Sequence, residues 1–145
     1  MATFHGTFEH TLDTKKRLTV PAKFRAALSG SVFLVRGADP CISIYPADAY
    51  SEMADAALKG INPLSAQAKE LKRFFYGNAA DQDLDSAGRV MLRDEHLAHA
   101  GIERDVVVTG AGDCLEVWDR SSWEAYHRDL TARAPELTAA LGHPA

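Results

Sequence analysis

The chain has 145 residues, 46% of them hydrophobic and 25% charged, with a formal net charge of −4 and two cysteines, Cys41 and Cys114. That length suits one compact domain or two very small, interlocked ones, and the apolar share excludes wholesale disorder. No apolar run is long enough to span a membrane, Met1-Ala2-Thr3-Phe4-His5 lacks the layout of a signal peptide, and the cysteines fit a reducing compartment, so a cytoplasmic protein is expected.

In chain order, a strand runs up to Asp13 and another leaves over Arg17–Val20, predicting a hairpin around Asp13-Thr14-Lys15-Lys16-Arg17. A short helix follows, with Pro21 as its first helical residue, where a missing N–H costs nothing. Val32–Val35 and Cys41–Tyr45 are apolar strands joined by the turn Gly37-Ala38-Asp39-Pro40. Pro46-Ala47-Asp48 opens a helix, and helical sequence covers 47–59 and 63–77, the second stretch capped by Asn62-Pro63. Leu64, Ala68, Leu71 and Phe75 share one face of it, and Lys69, Lys72 and Arg73 lie opposite. A second hairpin surrounds Asp85-Ser86-Ala87-Gly88-Arg89, with Arg89–Leu92 as its leaving strand. Strands Val106–Thr109 and Cys114–Trp118 then flank Gly110-Ala111-Gly112-Asp113. Ser121-Ser122-Trp123-Glu124 is a capping box for a helix carrying Trp123, Tyr126 and Leu130. Ala134-Pro135 is expected to break or kink that helix, leaving the last ten residues frayed or in a short extra turn.

This order is one motif used twice. A slide of 72 places Leu12-Asp13 on Leu84-Asp85, Arg17 on Arg89, Leu18 on Val90 and Val20 on Leu92. After one inserted residue, a slide of 73 places Val35 on Val108, Gly37 on Gly110, Cys41 on Cys114, Tyr45 on Trp118 and Tyr50 on Trp123. Such matches in order, with one single-residue gap, indicate duplication. Each half is too small to bury a core alone. The expected fold is α+β: two halves about a pseudo-twofold axis, strands in one barrel-like core and helices outside. The expected boundaries are 5–53 for the first half, 54–80 for a helical connector, 81–126 for the second half, and 127–145 for the C-terminal helix and tail.

The duplicated Asp-x-x-x-Arg turns are the candidate site. An Asp entering a turn accepts hydrogen bonds from the N–H groups that follow it, and its carboxylate can also hold the guanidinium and set its direction. An aimed arginine fits a phosphate or the O6/N7 edge of guanine. Lys15 and Lys16 add charge, and residues 1–36 carry +4 against −8 over 37–145. The competing reading is an ordinary surface ion pair, worth about 0–1 kcal/mol. Duplication weakens that reading without removing it.

Phe4-x-Gly6-x-Phe8-x-His10-x-Leu12-Asp13-x-Lys15-x-Arg17-Leu18-x-Val20-Pro21-Ala22-Lys23-Phe24-Arg25 resembles the opening of the MraZ family of bacterial transcriptional regulators. So do Arg73-Phe74-Phe75-x-Gly77-x-Ala79, Asp85-x-x-Gly88-Arg89-Val90, and Val117-Trp118 followed by Ser122-Trp123-Glu124-Ala125-Tyr126. The resemblance covers about residues 4–127. It implies a β-rich double-split barrel of two AbrB-type halves with outer helices, assembled into a homo-oligomeric ring on double-stranded DNA. It also implies recognition of short G-containing direct repeats at the promoter of a division and cell-wall gene cluster, usually as a repressor, with a nucleoid location. The DNA-contacting residues it implies are Asp13, Lys15 and Arg17, with Asp85 and Arg89. Two departures stand out. Lys16 replaces a glycine of the family, a steric cost if positive φ is required, offset by a further phosphate contact. Arg93 replaces a proline. With no lysine in the second turn, the first copy is expected to dominate DNA contact.

The strongest rival is a toxin-neutralising antitoxin or another AbrB-type module, which usually carries one half-copy, dimerises and binds a partner through a disordered tail; two joined copies argue against it. His96 and His99 could meet a metal, but no pattern completes a site, and surface imidazoles on a short helix are expected. Cys41 and Cys114 are expected to be buried small hydrophobes, not nucleophiles. No enzyme activity, metal, cofactor, membrane or small-molecule substrate is expected.

Overall fold

The computed structural model describes residues 3–142. Both halves run in the same order. The first contains β1 (Thr7–Thr11), β2 (Arg17–Thr19), α1 (Ala22–Arg25), β3 (Ser31–Arg36), β4 (Ile42–Pro46) and α2 (Ala47–Leu58). After α3 (Ala66–Gly77), the second contains β5 (Ala79–Asp83), β6 (Arg89–Met91), α4 (Asp94–Ala100), β7 (Asp105–Gly110), β8 (Leu115–Asp119) and α5 (Arg120–Ala139).

The halves exchange strands. One six-stranded sheet has the order β1-β7-β8-β4-β3-β5, and β2 pairs with β6 in a separate two-stranded ribbon. All the pairings are antiparallel. Each half keeps its own hairpin, β3–β4 or β7–β8, but donates its leading strand to the other half's hairpin. Swapping counterpart strands leaves the order unchanged. The expected barrel-like core is therefore a sheet plus a ribbon. Among the described residues β1 and β5 remain sheet edges, and no closed barrel forms.

Between sheet and ribbon lies one core, including Leu18, Val20, Val32, Leu34, Ile42, Ile44, Val90, Leu92, Val106, Val108, Leu115 and Val117. Period-2 alternation explains the ribbon: Leu18 and Val90 point in, and Arg17, Thr19, Arg89 and Met91 face out. The helices close the sheet's other face through equivalent aromatic pairs. Tyr45 and Tyr50 meet at 5.0 Å and 61°, and Trp118 and Trp123 at 5.5 Å and 62°.

Several helix ends differ from expectation. Pro21 is the N-cap of α1, one residue before the helix. Ser65 caps α3 by accepting from the Ala68 N–H, while Asn62 caps only the preceding turn at Leu64 N. Leu64 is thus outside the helix and 80% exposed. Asp119, not the serine pair, caps α5, taking the Ser122 N–H at 3.1 Å. α5 continues through Pro135 to Ala139. Proline holds a helical φ, and the helix formers around it, with the Arg133–Asp129 pair at 2.7 Å, carry the turn across. The positions 53/54, 80/81 and 126/127 fall inside α2, β5 and α5.

Candidate functional site

The two turns have the same construction. Asp13 Oδ1 accepts the N–H groups of Lys15 and Arg17, both at 2.9 Å, and its Oδ2 accepts Arg17 Nε at 2.7 Å. Asp85 Oδ1 accepts Ala87 N at 2.9 Å and Arg89 N at 3.0 Å, and its Oδ2 accepts Arg89 Nε at 2.8 Å. Each carboxylate therefore closes its loop and fixes its arginine. The Arg17 backbone N–H, the largest cause, holds Asp13 below the usual carboxylate range, and Arg89 does the same for Asp85. Both clamps stay ionised at neutral pH. Each uses only Nε–H, so the planar Nη pair remains for an acceptor outside the protein.

The strand pairing joins the turns. Arg17 lies opposite Met91, Leu18 opposite Val90, and Thr19 opposite Arg89. Lys16 O accepts Leu92 N–H, and Gly88 O accepts Val20 N–H, both at 2.9 Å. Both arginines thus occupy one outward face of one ribbon, two positions apart along it. Thr19 and Met91 complete that face and were missed in the sequence, although the alternation along Arg17-Leu18-Thr19-Val20 and Arg89-Val90-Met91-Leu92 was a usable signal.

Lys16 does adopt positive φ, 60°, against 74° for Gly88. The two copies tolerate different residues for a packing reason. A Cβ on Gly88 would meet Arg25 Cδ at 2.7 Å, and Arg25 is anchored by Nε–H donating to Val20 O at 3.0 Å. Leu97 stands at Arg25's place in the other half, leaving Lys16 room. The Lys16 ammonium donates to the Glu103 carbonyl at 3.1 Å, while Lys15 is exposed at the loop tip. Left-handed φ costs a non-glycine residue about 1–2 kcal/mol, and glycine's extra unfolded-state freedom cancels part of that. Lys16→Gly should stabilise the fold by up to about 1 kcal/mol, raising the melting temperature by about 3 °C in a thermal scan. A fall would mean that the Glu103 contact outweighs the strain.

The other candidates resolve into structure. His96 is 1% exposed, contrary to the surface position expected. Its Nδ1 accepts Arg93 N–H at 3.0 Å at the start of α4, and desolvation lowers its pKa, favouring the neutral acceptor form. His99 is exposed and meets the Asp39 carbonyl at 2.9 Å. Cys41 and Cys114 are buried; burial pushes the Cys114 thiol up to about 11 and Cys41 higher still. Thiols so held are poor nucleophiles. No helix is long and apolar enough to cross a membrane among the described residues.

A covalent tandem of hairpin modules that exchange strands and present two clamped arginines on one ribbon defines a duplicated β-module with a presenting face. Comparison with known proteins narrows this. A family model described as "MraZ protein, putative antitoxin-like" matches twice, over residues 3–74 and 75–140. The chain belongs to the MraZ family. It is similar to the "Transcriptional regulator MraZ" of Corynebacterium urealyticum, at 42% identity over 85% of each chain. The protein of that name from Lactiplantibacillus plantarum is 37% identical over 95% of this chain and 97% of the relative. The one from Acetivibrio thermocellus is 33% identical over 92% and 93%. These relatives are named for regulation of transcription, not for an enzymatic activity.

Proposed function

We propose that this chain is a sequence-specific DNA-binding regulator of transcription, a repressor of a division and cell-wall gene cluster that works from the cytoplasm on the nucleoid. The observation that carries the reading is the outward ribbon face. B-DNA's major groove, about 12 Å wide, admits a two-stranded β-ribbon. The face offers two arginines, each held by its Nε–H with its Nη pair making no protein hydrogen bond among the described residues, which leaves the fork available to guanine O6/N7. Asp13 and Asp85 position the arginines. Lys15 and Lys16 contact phosphates beside Arg17, and Arg89 makes the second contact. No cofactor or small-molecule substrate enters this reading.

The target is a set of short G-containing direct repeats, met by a homo-oligomeric ring. Apolar surface left open supports self-association: α5 has no buried residue, and Phe74, Tyr76, Tyr126 and Leu137 are 40–46% exposed. The swap-invariant strand order supports reading sheet and ribbon as a double-split barrel of two AbrB-type halves, divided at 5–53 and 81–126 by the 54–80 connector, with 127–145 as the tail.

Footprinting on the DNA upstream of the protein's own gene tests the reading. Wild type should protect spaced repeats, and Arg17→Ala should lose protection while its circular dichroism and melting curve stay unchanged. Unaltered protection by Arg17→Ala would make the clamp purely structural.

A further inference from the structure

Met91 is a large apolar side chain on an otherwise polar face, 43% exposed, and its backbone N–H and C=O are both held by the Gln82 side chain. Met91 N–H donates to Gln82 Oε1 at 2.6 Å, and Gln82 Nε2 donates to Met91 O at 3.2 Å. Gln82 belongs to β5, so the six-stranded sheet fixes the ribbon at this residue. The counterpart of Met91 is Thr19 and that of Gln82 is His10. Among the described residues, His10 makes no such bond to Thr19. One end of the ribbon is thereby stiffer than the other, and it is the end that carries Arg17.

Met91 stands directly opposite Arg17. The bonds Leu92 N–H to Lys16 O and Val20 N–H to Gly88 O make Arg17–Met91 a non-hydrogen-bonded pair. Side chains approach most closely in such pairs, with Cα atoms about 4.5 Å apart. Neighbouring base pairs rise by about 3.4 Å. An arginine seated on a guanine thus brings the side chain opposite it over the adjacent base pair. The apolar feature of the major-groove floor is the thymine 5-methyl group, which apolar side chains contact.

We infer that Met91 reads the 5-methyl of a thymine in the base pair next to the guanine held by Arg17. The reading end is then composite, with the arginine from one copy and the methionine from the other. Thr19 beside Arg89 lacks both the apolar bulk and the clamp, so the second end discriminates less. This inference rests on the DNA-binding reading.

The test uses a duplex carrying one footprinted repeat, with each thymine replaced in turn by deoxyuridine, which removes only the methyl. Anisotropy titrations at fixed salt compare wild type with Met91→Ala. Wild type should lose about fourfold in affinity at one thymine, the value of one buried methyl group, and that thymine should neighbour a guanine. Met91→Ala should bind the normal repeat about fourfold less well and lose nothing further at that position. Wild type indifferent to every uridine, or Met91→Ala retaining full sensitivity, would overturn the inference while leaving the DNA reading intact. Equal binding of wild type to the repeat and to a scrambled duplex would instead overturn the DNA reading itself. Met91→Ala should melt with wild type, because the side chain is exposed and its Gln82 bonds are to backbone.

Discussion

Gly110→Ala should lower the unfolding free energy by about 3–5 kcal/mol, a large fraction of a small domain's stability. Gly110 ends β7 and donates its N–H to Gly6 O at 2.8 Å. A Cβ there would fall on the His5 backbone N and Cα and on the Phe4 carbonyl carbon. Backbone cannot swing aside as a flexible side chain can, so the leading segment must move. That segment carries Phe4, 1% exposed. Phe4 exchanges hydrogen bonds with Gly112 at 2.8 and 3.0 Å and packs on Phe24 at 5.5 Å. Releasing it loses the burial of a phenylalanine, which sets the magnitude. The internal control is Gly37→Ala at the duplicate position, where an added Cβ meets nothing within 4 Å. Urea denaturation should separate the two variants clearly, with Gly37→Ala close to wild type. Equal midpoints would show that the segment is not pinned at Gly110.

The second large effect concerns repeats. One ribbon offers two arginines and two lysines from a chain of net charge −4, so its hold on one box should be weak. On the proposed ring, several ribbons would meet further boxes at an effective concentration near millimolar. Avidity then adds about 10²–10⁴-fold without any new contact. Gel shifts at fixed salt should show tandem repeats bound at least about 100-fold more tightly than a single repeat. Equal affinity would remove the ring from the account. The advantage should also disappear when the spacing changes by half a helical turn, because the boxes then face opposite sides of the duplex.

Much of this site was legible in the sequence because its geometry is local. An Asp followed four residues later by an arginine closes a turn within five residues, and the duplication carried the pattern from Asp13–Arg17 to Asp85–Arg89. The β3–β4 and β7–β8 hairpins were visible for the same reason. The exchange of β1 and β5 between halves was not, since pairing across roughly 100 residues for β1–β7 and roughly 50 for β3–β5 leaves no mark on local periodicity. Nor was the β2–β6 pairing, which makes the second turn and Met91 neighbours of the first turn. Reading the turns separately did not show that the ribbon sets both arginines on one face. His96 was misplaced because nothing in its local pattern distinguishes a helix-capping imidazole from a solvated one. The break expected at Pro135 does not occur, because loss of one N–H does not end a helix that good helix formers continue.

On the proposed function, the clamped Arg17 grips a guanine from the ribbon face. The most direct measurement is a double-substitution cycle: wild type and Arg17→Ala, each titrated on a footprinted repeat carrying guanine or 7-deazaguanine, which lacks the N7 acceptor. A good bidentate arginine–guanine contact contributes about 1–3 kcal/mol of discrimination. Wild type should lose roughly tenfold or more at one guanine within that range, and Arg17→Ala, already weakened, should be indifferent to the same replacement. If Arg17→Ala binds the normal repeat as wild type does, or suffers the same further loss at every 7-deazaguanine, then Arg17 does not read the base and the ribbon is not the recognition element.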